Sequence, residues 1–104
     1  MLTLEGALRH LGYDEVDEVI TAKVTSELAE ASSYLQGSVG DDIFTLLPDD
    51  PRIDILLKAY LDDMHDERGL TSAKAGSAKR DLVHSTEWQL RLTLSRKREE
   101  VASV

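Results

Sequence analysis

The segment that most constrains the fold is residues 50–69, DPRIDILLKAYLDDMHDERG. Asp50 can cap a helix N-terminus, and Pro51 suits the first helical position, where its missing N–H costs nothing. Gly69, directly after the cationic Arg68, predicts where this helix ends. The apolar residues recur every three or four positions and share one helix face: Ile53, Leu56, Leu57, Tyr60, Leu61 and Met64. The pattern predicts a core helix that packs on other helices.

Two further helices are predicted before this segment. Thr3 is expected to cap a short helix over residues 4–11, which Gly12 ends. Asp14 precedes a longer amphipathic run, for which Gly37 is the stop signal. The apolar positions of that run are Val16, Ile20, Val24, Leu28, Ala31 and Leu35. Both segments therefore favour a helical bundle.

The connection over residues 38–49 contains an apolar run, IFTLL, that loops seldom carry. Its apolar side chains are too few to predict a helix of their own, and they are Ile43, Phe44, Leu46 and Leu47. One interpretation is that they close one end of the bundle. The other is that they form a contact loop for a neighbouring subunit. Burial within the same chain is the more common fate of such residues.

A flexible linker or turn is predicted over residues 70–78, LTSAKAGSA, followed by a basic C-terminal helix and tail over residues 79–104. Within that helix, residues 88–94 alternate apolar and polar side chains, as a half-buried strand does. The side chains are nevertheless mostly good helix formers, and no second strand is evident to pair with them. A helix is therefore the preferred interpretation.

This last helix is predicted to have two apolar faces. On a helix that turns by about 100° per residue, one set of apolar side chains lies within about 40° around the axis and forms a stripe. The stripe consists of Val83, Leu90, Leu94 and Val101. Trp88 and Leu92 lie roughly 160° away from it, flanked by Arg91 and the basic run 96–98. Because Trp and Arg often anchor interfaces, we interpret the Trp88 face as an assembly surface. The alternative is that the bundle packs on this helix from both sides.

The charge is unevenly distributed along what is predicted to be a single domain of residues 1–104. Residues 1–69 form an acidic helical body with a net charge of −11, whereas residues 70–104 carry +3. An acidic chain is poorly suited to wrapping DNA, but an acidic body with a basic tail suits contacts between copies or an acidic partner. Two solvated surfaces would explain the asymmetry equally well.

The sequence contains no clear signal for a membrane span, for secretion or for catalysis. The absence of cysteine, of a signal peptide and of a long apolar run predicts a soluble cytosolic protein. Asp62, His65 and Asp66 share a helix face, but a single helix supplies too few ligands for a cation. A solvated acidic face that includes Asp63 is the preferred interpretation. We therefore predict no enzymatic activity, no metal site and no cofactor.

The motifs DPRIDILLKAYLDDMHDERG and SAKAGSAKRDLVHSTEWQLRLTLSRKREE resemble the head–tail connector (adaptor, or head-completion) proteins of tailed bacteriophages and prophages, with a match from Pro51 to Arg98. In that family an amphipathic helix ends in an acidic or aromatic run and an arginine. A flexible loop and a helix with a Gln-Leu-Arg motif follow. Here the motif is Gln89-Leu90-Arg91. Many members end soon after it, whereas this chain continues with a basic tail.

The residue pattern as a whole predicts an all-α bundle of about four helices with an extended C-terminal helix, and the resemblance likewise implies a small, mostly helical protein. Such a protein would form a homo-oligomeric ring between the portal and stopper or tail proteins after DNA packaging. It would be made in the bacterial cytoplasm and end in the virion at the head–tail junction. The residues implied to contact the portal or a neighbouring subunit are Arg80, Trp88, Gln89, Arg91 and Leu92.

An acidic tunnel face would let packaged DNA pass without specific binding. The residues of this hypothesis are Asp62, Asp63 and Asp66. A different function, left open by the residues alone, is a small regulatory module that binds nucleic acid through the basic C-terminal helix. A weaker alternative is an enzyme that uses Asp62, His65 and Asp66.

Overall fold

The computed structural model describes residues 2–15, 17–65 and 73–102, with the backbone alone described at 65 and 73–79. Five helices follow one another in this part of the chain, which contains no strand. They are α1 (Leu4–His10), α2 (Glu18–Ser38), α3 (Ile43–Leu46), α4 (Pro51–His65) and α5 (Ala73–Ala102). The all-α prediction is therefore confirmed. Predictions that fall on Val16, Asp66, Arg68, Gly69 and residues 70–72 lie outside the described residues.

The ends of α1 follow the sequence signals. The Thr3 hydroxyl accepts a hydrogen bond of 3.1 Å from the Gly6 backbone N–H. This bond satisfies one of the donors that a helix N-terminus leaves unpaired. Gly12, at φ +85°, adopts the left-handed conformation that glycine tolerates best after a helix. The predicted boundaries of α1 are confirmed to within one residue.

Both predicted ends of α2 were wrong by a few residues. The helix is capped by Asp17 rather than Asp14, because the Asp17 carboxylate accepts a 2.8 Å hydrogen bond from the Ile20 N–H. At the other end Gly37 lies inside the helix, which continues to Ser38. The Val39 N–H still donates to the Leu35 carbonyl at 2.9 Å. One glycine costs a helix only about 1 kcal/mol, so the tertiary contacts of this last turn outweigh it.

The apolar run after α2 forms the single-turn helix α3, contrary to the expectation of a loop without a helix. The Leu47 N–H donates to the Ile43 carbonyl at 3.0 Å and closes the turn. Ile43 is fully buried, and Phe44, Leu46 and Leu47 pack against the core with partial exposure. This placement favours the interpretation that the run closes the bundle. A contact between its exposed parts and a neighbouring subunit stays a prediction.

The core lies between α2, α4 and α5, with α1 and α3 covering its ends. Its largest fully buried side chains are Val24, Leu35, Ile43, Ile53, Leu56, Leu57, Leu61, Leu90 and Leu94. The predicted stripe of α4 is confirmed except at Met64, whose side chain is exposed near the end of that helix. Val101, predicted on the core stripe of α5, is also exposed.

The long helix α5 begins earlier than predicted. It starts at Ala73, so residues 73–78, expected to be a linker or turn, are helical. Alanine and lysine favour helix strongly enough to offset the single Gly76 and Ser77 in this stretch. At 1.5 Å per residue its 30 residues span about 45 Å, which accounts for most of the molecule's longest dimension of 48 Å.

The side chain of Arg98 holds the C-terminal half of α5 to the start of α3. Its Nε donates to Asp42 Oδ2 at 2.8 Å, and its Nη2 donates to Asp42 Oδ1 at 2.6 Å. These two hydrogen bonds hold the pKa of the Asp42 carboxyl below its usual value. Arg52 forms a second link, because its Nη2 donates to the Thr93 hydroxyl at 3.0 Å.

The Asp42–Arg98 pair predicts a loss of stability in acid. Because folding lowers the pKa of Asp42, its contribution is present above the unfolded value of about 3.9 and is lost as pH falls below it. Urea unfolding at pH 6, 4 and 3 should therefore show a smaller acid-dependent loss for Asp42→Asn than for the unmodified chain. Some loss should remain, since the hydrogen bonds of Arg52 also lower the pKa of Asp50. Equal losses in the two proteins would contradict a role for this pair.

Candidate interaction surface

The two apolar faces of α5 have different environments. Leu90 and Leu94 are fully buried against the bundle, whereas Trp88 remains 57% exposed and Leu92 44% exposed. Residues 88–98 are helical. The exposure of Trp88 and Leu92 shows that the bundle does not pack on this helix from both sides. The outward pair Trp88 and Leu92, four residues apart and on adjacent turns, is here called the α5 knob. Its role as a partner-binding surface stays a prediction.

Three further residues were predicted to belong to this surface. Gln89 is exposed next to Trp88, and Arg80 is exposed about two turns before it on the same helix. Arg91 is exposed in part, but its guanidinium is used within the chain. Its Nε donates to the Ser38 carbonyl at 2.7 Å, and its Nη2 lies 3.6 Å from the Glu87 carboxylate. A cation at a helix C-terminus is favourable, so Arg91 fixes α5 to the end of α2.

The basic run beside the knob is also partly used within the chain. Arg98 is paired with Asp42, and Lys97 Nζ lies 3.9 Å from the Glu100 carboxylate. Arg96 is exposed and forms no ion pair or hydrogen bond with any side chain that the structure describes. It lies one turn beyond Leu92, on the outer side of α5. Arg96 is therefore the cation of this run best placed to meet a partner.

Glu87 on α5 and Tyr60 on α4 form a buried polar cluster that the sequence analysis did not predict. Glu87 is only 3% exposed, and the ring of Tyr60 packs edge-on against Tyr34 with centroids 4.7 Å apart. Burial, followed by the nearby Glu87 charge, raises the pKa of the Tyr60 phenol far above its usual value. Glu87 precedes the buried Leu90 by three residues, which is the signal that could have placed it on the core face.

A shallow apolar groove of about 250 Å³ lies between α4 and α5. It was not predicted, because its walls come from segments distant in sequence. Ile55 on α4 is 53% exposed and Leu82 on α5 is 64% exposed, so large apolar side chains border it on both sides. We call it the α4–α5 groove. Its lining residues are Ile55, Leu56, Lys58, Ala59, Asp62, Leu82, Val83 and Thr86.

The predicted acidic face is only partly within the described residues. Asp62 borders the α4–α5 groove, and its Oδ1 lies 2.8 Å from His10 Nε2 on α1. Asp63 is exposed, while the side chain of His65 and all of Asp66 lie outside the described part of the chain. Among the side chains that are described, no three of the types that bind metals come together. Whether Asp62 and Asp63 border a tunnel stays a prediction.

No helix in the described ranges is both long enough and apolar enough to cross a membrane. In comparisons with known proteins, no family model, no curated protein and no solved structure matches this chain. Trp88 of the α5 knob is the most exposed aromatic side chain among the described residues.

Proposed function

We propose that this chain is a structural virion protein, a head–tail connector that forms a ring between the portal and the stopper or tail proteins after DNA packaging. The observation that carries the proposal is the outward α5 knob, in which Trp88 and Leu92 lie exposed while Leu90 and Leu94, on the opposite side of the helix, are fully buried. Trp is the residue type most enriched at the energetic centres of protein interfaces. A surface of this kind supports a role in assembly.

The rigid support of the knob strengthens this proposal. Three arginine contacts hold α5 at successive positions: Arg91 to Ser38, Arg52 to Thr93, and Arg98 to Asp42. A binding surface that is already ordered in the free protein loses less conformational entropy when it binds. The α5 knob would therefore meet the portal, or a neighbouring subunit, in a fixed orientation.

The nucleic-acid alternative receives less support from the same contacts. Binding to DNA depends on cations that neutralise phosphates. Arg91 and Arg98 on α5 instead contact a backbone carbonyl and a carboxylate within the chain. A gel shift at low salt, with and without substitution of residues 96–98 by alanine, separates the two functions. Salt-dependent binding that is lost in the substituted protein would favour the regulatory module.

The proposal predicts that Trp88→Ala weakens binding to the portal protein. Truncating a central aromatic anchor costs about 2 kcal/mol or more of binding free energy, which is about 30-fold in affinity. Sedimentation velocity of the chain mixed with the portal protein encoded nearest to it measures the effect. Since Trp88 is more than half exposed, the melting temperature should change little.

The matched control is Val101→Ala, which removes another exposed apolar side chain from the same helix. It lies more than three turns from Trp88 and should leave portal binding unchanged. A chain that ignores the portal at every concentration, or a Trp88→Ala variant that binds it as tightly as the unmodified chain, would contradict the proposal.

A further inference from the structure

We propose that the α5 knob of one copy inserts into the α4–α5 groove of a second copy. This inference rests on the proposed function, which it deepens by naming the partner of the knob as another copy of this chain. It also assigns a binding role to the α4–α5 groove, whose apolar borders belong to no surface described in the sequence analysis. The two surfaces that carry it are Trp88 with Leu92 and the apolar borders Ile55 and Leu82.

The α5 knob of one copy cannot reach the α4–α5 groove of the same copy. Leu82 and Thr86 form the α5 wall of the groove, and Trp88 lies about 140° around the same helix from them. Because α5 is one continuous helix, its knob cannot turn toward its own groove. Each copy therefore presents one apolar projection and one apolar depression on different sides, and each is available to another copy.

The groove is mainly apolar and has a volume comparable to that of a site for an aromatic ring. An enclosed apolar cavity of about 150 Å³ holds benzene, and this groove, which is open to solvent, has a volume of about 250 Å³. Ala59 adds little side-chain volume to the groove, while Ile55 and Leu82 extend its borders. Inserting Trp88 would cover apolar surface on both copies.

Charge complementarity favours a head-to-tail contact between copies. The α4 wall belongs to residues 1–69, whose net charge is −11, and both Asp62 and Lys58 line the groove. The knob belongs to residues 70–104, whose net charge is +3, with Arg96 one turn beyond Leu92. Knob-to-groove contact brings Arg96 of the basic segment toward the α4 wall, which the acidic segment supplies, whereas knob-to-knob contact would bring two basic segments together.

Such a contact joins two different surfaces, so each copy can bind one neighbour through its knob and another neighbour through its groove. A contact of this type either closes into a ring or continues as an open chain, depending on the rotation between neighbours. Removing either surface from every copy should therefore prevent assembly. If half of the copies lack the knob and the other half lack the groove, assembly should stop at a dimer.

Complementation between two variants tests the inference. Trp88→Ala removes the knob and keeps the groove, whereas Leu82→Lys blocks the groove and keeps the knob. Both positions are more than half exposed, so both variants should fold, and Ile55→Lys provides a second groove variant. Val101→Lys is the control, since it adds the same charge to an exposed apolar position of α5 outside both surfaces.

Sedimentation velocity over a range of concentrations should show self-association of the unmodified chain and of Val101→Lys. Each surface variant alone should remain monomeric, and an equimolar mixture of Trp88→Ala with Leu82→Lys or Ile55→Lys should form a 1:1 dimer. A mixture that stays monomeric, or a control that loses association like the surface variants, would overturn the inference.

The outcome also separates this inference from the proposed function. An unmodified chain that is monomeric at all concentrations but binds the portal through Trp88 would overturn the copy-to-copy contact and leave the connector proposal standing. A mixture that dimerises while the unmodified chain ignores the portal would support the knob-to-groove contact and count against the connector.

Discussion

Leu90→Ala should lower the free energy of unfolding by about 2–5 kcal/mol, the usual cost of truncating a fully buried leucine. Leu90 is completely buried and lies on the face of α5 that packs against the bundle. Its removal would leave a cavity beneath the helix that carries the α5 knob. Urea unfolding followed by circular dichroism measures the change.

The matched control is Leu92→Ala, two residues further along the same helix. Leu92 is 44% exposed on the opposite side of α5, and truncating it should cost far less, within about 0.5–1 kcal/mol. The same variant removes half of the α5 knob, so it should weaken assembly while leaving the fold intact. If Leu92→Ala destabilised the chain as much as Leu90→Ala, the assignment of the two faces would be wrong.

Gly40→Ala is the second substitution with a large expected effect, and it should destabilise the chain by about 1–3 kcal/mol. A Cβ at position 40 would lie 2.6 Å from Leu94 Cδ2 and 2.6 Å from Arg98 Nη2. Leu94 is fully buried and Arg98 is held by Asp42, so neither side chain can move away without losing contacts. The extra methyl group would push α5 away from the end of α2.

Gly37→Ala, three residues earlier in the chain, should have the opposite effect on stability. A Cβ at position 37 meets no atom within 4 Å, and the residue lies in the last turn of α2. Alanine there should stabilise the chain by about 0.4–1 kcal/mol, because it restricts the unfolded state and favours helix. Thermal unfolding of both variants should show opposite shifts in Tm. A Gly40→Ala variant as stable as the unmodified chain would contradict the close approach of α5.

Local signals predicted the helices but were less reliable about where they begin and end. Asp50 and Pro51 placed the start of α4 because capping depends on residues only a few positions apart. Asp14 and Gly37 misplaced the ends of α2, because Asp17 offers an equally good cap and tertiary contacts hold the helix beyond its glycine. The choice between adjacent signals depends on packing that the signals themselves do not contain.

The candidate surfaces divide in the same way. The α5 knob could be predicted, since Trp88 and Leu92 are separated from the core stripe by the fixed rotation of a helix. The α4–α5 groove could not, because Ile55 and Leu82 come together only when α4 and α5 pack. The internal contacts of Arg91 and Arg98 were likewise invisible, and they reassign two predicted partner-facing cations to the support of α5.

The sequence by itself determined that this chain is helical and that α5 has two apolar faces, because both follow from propensity and from a period of about 3.6 residues. Only the tertiary structure decided which face is buried, how Glu87 enters the core, and that a groove opens beside α4. These outcomes depend on the rotation and separation of helices that are distant along the chain. That geometry is set by packing between side chains, for which local periodicity carries no information.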